Sequence, residues 1–136
     1  MEKDCQYLSW ENAPIGPLLG HAAHLARERM DVRLARYDVT PAQTHVLLYL
    51  GEQSGPTPQR DVVEHLRVKP PTANGILDRL EEKKLICRRA DPEDLRQKRV
   101  CLTEKGRELR VRLQNAFQEG AALTLHGLSE EETAVL

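Results

Sequence analysis

Aromatic side chains are scarce in this chain: three Tyr, one Trp and one Phe in 136 residues. With so few rings, the apolar content is mostly Leu, Ala and Val, which suits a helical protein. Cysteine is rare too. Three residues, at no metal-like spacing, argue against a disulfide framework and supply no metal site. No apolar run reaches transmembrane length and no basic-then-apolar leader opens the chain, so a cytoplasmic protein without a membrane partner is expected. No glycine-rich phosphate loop is present, and no Ser/His/Asp, Cys/His or paired-carboxylate arrangement follows from the spacing. Neither an enzyme nor a bound cofactor is expected.

Charge is plentiful but uneven. The formal net charge of -1 does not advertise a nucleic-acid binder. Its distribution does. Thr57 to Arg112 holds 15 Lys and Arg against 10 Asp and Glu, while the remainder holds 5 against 11. The positive field therefore sits on one part of the chain.

A length of 136 residues suits one domain with a single core. Met1 to Ala13 is polar and aperiodic, an arm carrying Cys5, Tyr7 and Trp10. Trp10 reads first as packing against a partner or a neighbouring helix, and second as a ligand contact. A long helix is predicted over Ile15–Tyr37, with Ile15, Leu18, Ala22, Leu25, Met30 and Leu34 on its buried side. His21 and His24 share a face there, but without an acidic or Cys partner they read as ordinary imidazoles before they read as metal ligands. Thr40, Pro41 and Gln43 spell a capping box with proline in the first turn. Thr57-Pro58 repeats that grammar and predicts another helix start, followed by Val62, Val63 and Leu66. Glu104 to about Leu123 is helical with Leu109, Leu113, Ala116 and Phe117 on one side. Ser129 with Glu132 makes a second capping box, opening a helix of two turns at most before Leu136.

The most informative stretch is Lys69 to Gly106. Ile76, Leu77, Leu80 and Leu85 have helical spacing, with Pro70 and Pro71 at the first turn. Two strand-like runs follow, Ile86-Cys87-Arg88-Arg89 and Arg99-Val100-Cys101-Leu102, around a tip rich in Asp, Pro and Arg. Thr103 can cap the next helix. Helix, basic hairpin and helix in that order is the plan of a winged helix-turn-helix. The fold class expected is therefore mainly α with a small β-hairpin.

These residues also carry a family resemblance. ILDRLEEKKLI followed by DPEDLRQKRVCLTEKG resembles the recognition helix and wing of the multiple-antibiotic-resistance regulator (MarR) family. Two positions depart from the usual pattern: Lys69 stands where a small capping residue is common, and Lys84 where Gly usually ends the recognition helix. Lys84 would then take a left-handed conformation, at roughly 1 kcal/mol. The resemblance implies a transcriptional repressor that binds a palindromic operator as a homodimer and is released by a small aromatic or phenolic effector. It places the DNA-binding core at 57–103 and the dimerisation helices at 15–37 and 104–136. Redox- or metal-responsive regulation on the same fold, and a winged helix used only for protein contacts, are the alternatives. Peroxide sensing in one subgroup uses a Cys early in the first long helix. Here Gly16 occupies that region, Cys5 lies upstream, and Cys87 and Cys101 read as small core residues.

Candidate DNA contacts follow by element. The first part of a recognition helix points into the major groove, where donors and acceptors distinguish all base pairs. Lys69, Pro71, Thr72, Asn74 and Gly75 stand there; Asn74 suits adenine, and Gly75 permits close backbone approach. Arg79 has two readings, a base or phosphate contact and an intrahelical pair with Glu82. On the wing, Arg88, Arg89, Arg96, Lys98 and Arg99 supply positive charge. By resemblance Arg96 enters the minor groove, with Asp94 orienting it or the hairpin. Arg36, Tyr37, His45 and Tyr49 are candidate effector-lining residues, though such residues also occur in ordinary cores.

Overall fold

The computed structural model describes residues 14–135; Cys5, Tyr7 and Trp10 lie outside them. Among the described residues six helices and three strands follow one another as α1 (Ile15–Ala35), α2 (Pro41–Glu52), β1 (Thr57–Pro58), α3 (Gln59–Leu66), α4 (Pro70–Glu82), β2 (Ile86–Ala90), β3 (Lys98–Leu102), α5 (Glu104–Thr124) and α6 (Glu130–Val135). The strands form an antiparallel sheet in the order β1-β3-β2. No helix among the described residues is long and apolar enough to cross a membrane.

Local chemistry sets most boundaries. Thr40 accepts from the Gln43 N–H at 3.2 Å while the Gln43 side chain accepts from the Thr40 N–H at 3.3 Å, so both halves of the capping box form. Ser129 and Glu132 do the same for α6. Lys69 offers α4 no side-chain cap, as its chemistry requires, and Pro70 and Pro71 open the helix. At the other end Lys84 takes φ +59°, with the Leu85 N–H reaching the Leu80 carbonyl at 3.0 Å and the Lys84 N–H reaching Glu81 at 2.9 Å. That is a Schellman ending built without glycine, and Leu80 and Leu85 seal it in the core.

Thr57-Pro58 does not start a helix. It is a short strand, with Thr57 opposite Val100 and Pro58 opposite Arg99, and α3 begins only at Gln59. Proline fits because an edge strand does not need its missing donor. The hairpin thus becomes a three-stranded sheet.

One core joins the elements. Val46, Leu47, Val62, Leu77, Leu80, Val100 and Leu113 are fully enclosed. The predicted inner face of α5 is correct: Leu113 and Ala116 are buried, with Leu109 and Phe117 packed at the margin. The predicted buried side of α1 is not. Of the residues named for it, Leu34 alone is enclosed, Leu18 and Met30 are half-buried, and Ile15, Ala22 and Leu25 face solvent. Within one chain, α1 meets the rest mainly near its C-terminal end, where Arg33 donates to the Ala116 carbonyl at 3.1 Å.

The joint between α4 and α5 is close. Thr103 caps α5 by accepting from the Gly106 N–H at 3.0 Å and donates to the Lys84 carbonyl at 2.7 Å. A Cβ at Gly106 would collide with the Leu85 carbonyl oxygen and lie 3.0 Å from its carbon. The L-T-x-x-G sequence therefore brings the start of α5 against the end of α4.

Candidate nucleic-acid interface

α4 divides cleanly. Ala73, Leu77 and Leu80 are fully buried, whereas Pro71, Thr72, Asn74, Gly75 and Arg79 stand on the exposed side with Lys69 just before them. A Cβ at Gly75 would meet nothing within 4 Å. Since glycine costs a helix up to about 1 kcal/mol relative to alanine, its presence has no explanation in this chain's own packing. Asn74 is pre-oriented: its Oδ1 accepts from Gln59 Nε2 of α3 at 3.2 Å, which leaves its NH2 group free to donate outward. Arg79 makes no ion pair with Glu82; among the described residues its guanidinium is unpaired.

The hairpin tip is held by two aspartates with different tasks. Asp91 is buried. Its Oδ1 accepts the Glu93 N–H and its Oδ2 pairs with Arg99 Nε, both at 3.0 Å. The Glu93 hydrogen bond first, and Arg99 second, hold its carboxyl below the usual carboxylate range. Asp94 is exposed and acts on backbone: its Oδ1 accepts the Arg96 N–H at 3.0 Å, and its carbonyl accepts the Gln97 N–H at 2.9 Å. The Arg96 guanidinium has no partner among the described residues.

Arg88 does something else. It pairs with Asp78 at 2.5 Å and Glu81 at 3.0 Å, both on α4, and its side chain is only 13% exposed. Its backbone N–H also reaches Glu81. The Arg88 hydrogen bond holds the Glu81 carboxyl below its ordinary value, and Glu81 in turn raises Arg88. Because the folded carboxyl's pKa is lowered, the brace is present through the neutral range and is lost as pH falls through that lowered value. Arg88 thus joins wing to recognition helix.

Strand alternation separates the remaining basic residues. Arg89 and Arg99 are opposite one another in register, on the hairpin face that also carries Cys87 and Cys101. Asn74, Arg88, Arg96 and Lys98 instead border one cleft of about 840 Å³ between α3, α4 and the wing. The positions named from sequence therefore fall into a group gathered at that cleft, an exposed row on α4, and a pair on the hairpin's other side.

The four candidate effector residues do not meet. Arg36 borders a mainly apolar cleft of about 930 Å³ between α1 and α5. Tyr37 packs against the core, Tyr49 stacks on His65 with centroids 4.0 Å apart, and His45 is exposed. His24 pairs with Glu28 at 3.3 Å. Sequence reasoning missed Gln59, which carries no motif, and Asp91, whose place in the D-P-x-D pattern could have marked it as the turn's hydrogen-bond centre.

An exposed helix face beside a braced basic hairpin defines the winged helix-turn-helix class. Residues 37–97 match the MarR family. Staphylococcus aureus MepR, a transcription regulator of the multidrug efflux pump MepA, is 32% identical over 90% of both chains, with a TM-score of 0.79. The MepR–DNA complex matches at 33% identity over 90% of both chains, TM-score 0.78. A MarR-like transcription regulator from Bacillus cereus shares the fold at 20% identity, covering 89% of this chain and 86% of that one, TM-score 0.77. The chain belongs to the MarR family.

Proposed function

We propose that this protein is a cytoplasmic, sequence-specific DNA-binding repressor that works as a homodimer on a palindromic operator. Residues 57–103 form the reading core, and 15–37 with 104–136 the dimerisation helices. The observation that carries the reading is the common border of Asn74 and Arg96: a major-groove donor on α4 and an unpaired wing guanidinium beside one cleft. Thr72, Asn74, Gly75 and Arg79 face bases, Lys69 and Pro71 lie near the backbone, and Arg96 and Lys98 reach the minor groove and its phosphates. Arg89 and Arg99 add field from the far face of the hairpin, while Arg88 and Asp94 position the wing. The apolar exposed faces of α1, α5 and α6 support the dimer. A small aromatic or phenolic anion is the proposed releasing ligand; the Arg36 cleft between α1 and α5 supports that class by combining apolar walls with the basic Arg29, Arg33 and Arg36.

Titration of duplex DNA tests the assignment. The logarithm of affinity should fall with the logarithm of salt with a slope of several units, as phosphate contacts require. Asn74→Ala should cost operator binding about 1–3 kcal/mol and leave random duplex nearly unaffected. A flat salt response would favour a protein-contact module, and equal losses on both duplexes would remove Asn74 from base reading.

A further inference from the structure

Cys87 and Cys101 are not core residues. Both are half-exposed and stand directly opposite each other across β2 and β3. Each thiol lies 3.7 Å from the other residue's carbonyl oxygen. Flanking bonds from the Thr103 N–H to Leu85 at 3.1 Å and from the Asp91 N–H to Gln97 at 2.9 Å fix the ladder's alternation, which makes 87–101 a hydrogen-bonded pair. Opposed Cα atoms in such a pair are about 5.5 Å apart, a separation a disulfide can span. Their Cβ atoms stand about 4.5–5.5 Å apart, whereas a relaxed bridge holds them near about 3.8 Å. A bond could close, but only by drawing the strands together, and a bridge strained in that way is easily reduced.

The surroundings supply a recognition chemistry. Both thiols border a cleft of about 770 Å³ between the end of α2, the base of the wing and α5. Arg89, Arg107 and Arg110 border it too, against a single acidic residue, Glu104. None of the three arginines forms an ion pair among the described residues, and the Arg110 Nε is buried without a hydrogen-bond partner. Positive charge around a pair of thiols favours an anionic reactant.

We propose that Cys87 and Cys101 form a reversible dithiol switch, closed into a cross-strand disulfide by a small carboxylate-bearing disulfide that docks in this cleft. The Cys87 thiolate attacks one sulfur of the small disulfide, forming a mixed disulfide and expelling one thiolate. Cys101 then loses its proton and attacks the Cys87 sulfur, expelling the second. Two protein thiols give up two electrons and two protons; the small disulfide becomes two thiols. Burial, then Cys87 itself, pushes the Cys101 thiol up, despite opposition from Arg89 and Arg107. Closing the bond shifts β2 against β3, moving Arg96 at the tip and Arg88, the residue next to Cys87. Duplex affinity falls. That last consequence rests on the DNA-binding reading; the bond chemistry does not.

The test uses the full chain carrying Cys5→Ser, exposed to glutathione disulfide or to the cationic disulfide cystamine. Intact mass should fall by two hydrogens, with a peptide joining Cys87 to Cys101, and glutathione disulfide should react several-fold faster. Adding Cys101→Ser should leave one glutathionyl group on Cys87. Oxidised protein should bind duplex roughly tenfold more weakly, the loss of about one charge-assisted contact, and recover with reductant. Free thiols, a persistent mixed disulfide or bridges only between chains would overturn the switch, as would an internal bridge that leaves affinity unchanged. Equal rates with cystamine would remove the arginines' role. Reduced protein that binds no duplex would count against the DNA-binding reading instead, with the bridge still decided by mass.

Discussion

α4 and α1 both carry an apolar face, yet the chain treats them oppositely. In 13 residues α4 puts Ala73, Leu77 and Leu80 wholly out of solvent. In 21 residues α1 buries only Leu34, leaving Ile15 73% and Val32 68% exposed. α5 divides along its length: Leu113 and Ala116 are enclosed, while Leu123 toward its C-terminal end is 61% exposed. α6 buries nothing. The one core therefore closes around the reading elements within a single chain, taking from the flanking helices only Leu34 of α1 and the inner face of α5 about Leu113. The flanking half has apolar surface of the kind that marks an interface, and a second copy covering it would form a self-complementary contact. What differs is where each half finds its partners.

The largest test of this contrast lies at the joint between the halves. Gly106→Ala places a methyl against the Leu85 carbonyl, a backbone atom fixed by the Schellman ending and by Thr103. Neither side can yield as a flexible side chain would. We expect a loss of about 3 kcal/mol or more in denaturant unfolding. Gly51→Ala is the control: its Cβ would meet Arg110, a long side chain able to swing away. Equal losses at the two glycines would mean that the joint is no tighter than the rest.

Next in size is the separation of the halves. Leu19→Glu combined with Leu123→Glu puts charge on the exposed apolar faces of α1 and α5, 63% and 61% exposed in the single chain. Sedimentation should show the proposed dimer weakened by about 2–4 kcal/mol, the range of interface hot spots. Hydrogen exchange at Leu77 and Val100 should stay slow, because the reading core does not use those faces. Collapse of that protection would show that the reading half cannot stand alone.

The same contrast explains what the sequence could and could not say. Local grammar was legible. The capping boxes at Thr40 and Ser129, the proline start of α4, the left-handed Lys84 and the inner face of α5 each depend on residues within a turn or two. Decisions made by distant partners were not. Thr57-Pro58 has the same signature as Thr40-Pro41, but Thr57 finds Val100 forty-three positions on and becomes a strand. Arg88 and Arg89 are chemically identical neighbours; only strand alternation sends one to Glu81 and the other to the far face. The periodicity of α1 predicted a buried side that this chain leaves largely open, because spacing marks an apolar face without saying what covers it. For the candidate interface, the motif pointed to the α4 face and the wing, whereas the pairing of their basic residues emerged only from distances.

The smallest expected effect is the one whose sign is most informative. Arg96→Ala should weaken operator binding by about 1–3 kcal/mol through loss of a guanidinium in a narrow minor groove, with thermal stability within about 1 kcal/mol because the side chain is exposed. Asp94 is two residues away and negatively charged. Coulomb's law alone says that its removal near phosphate improves binding. The geometry says otherwise, because the Asp94 carboxylate accepts the Arg96 N–H and so fixes the turn that aims that residue. An unanchored tip must be ordered on the DNA, and ordering one residue's backbone costs about 1–2 kcal/mol. Asp94→Ala should therefore bind about 1 kcal/mol more weakly despite its more favourable charge. Asp94→Asn, which keeps an accepting oxygen and removes the charge, should bind at least as well as the parent. Fluorescence anisotropy at fixed salt separates the two causes: tighter binding by Asp94→Ala would show that charge outweighs orientation at the tip, and the wing would then act through its field and not its shape.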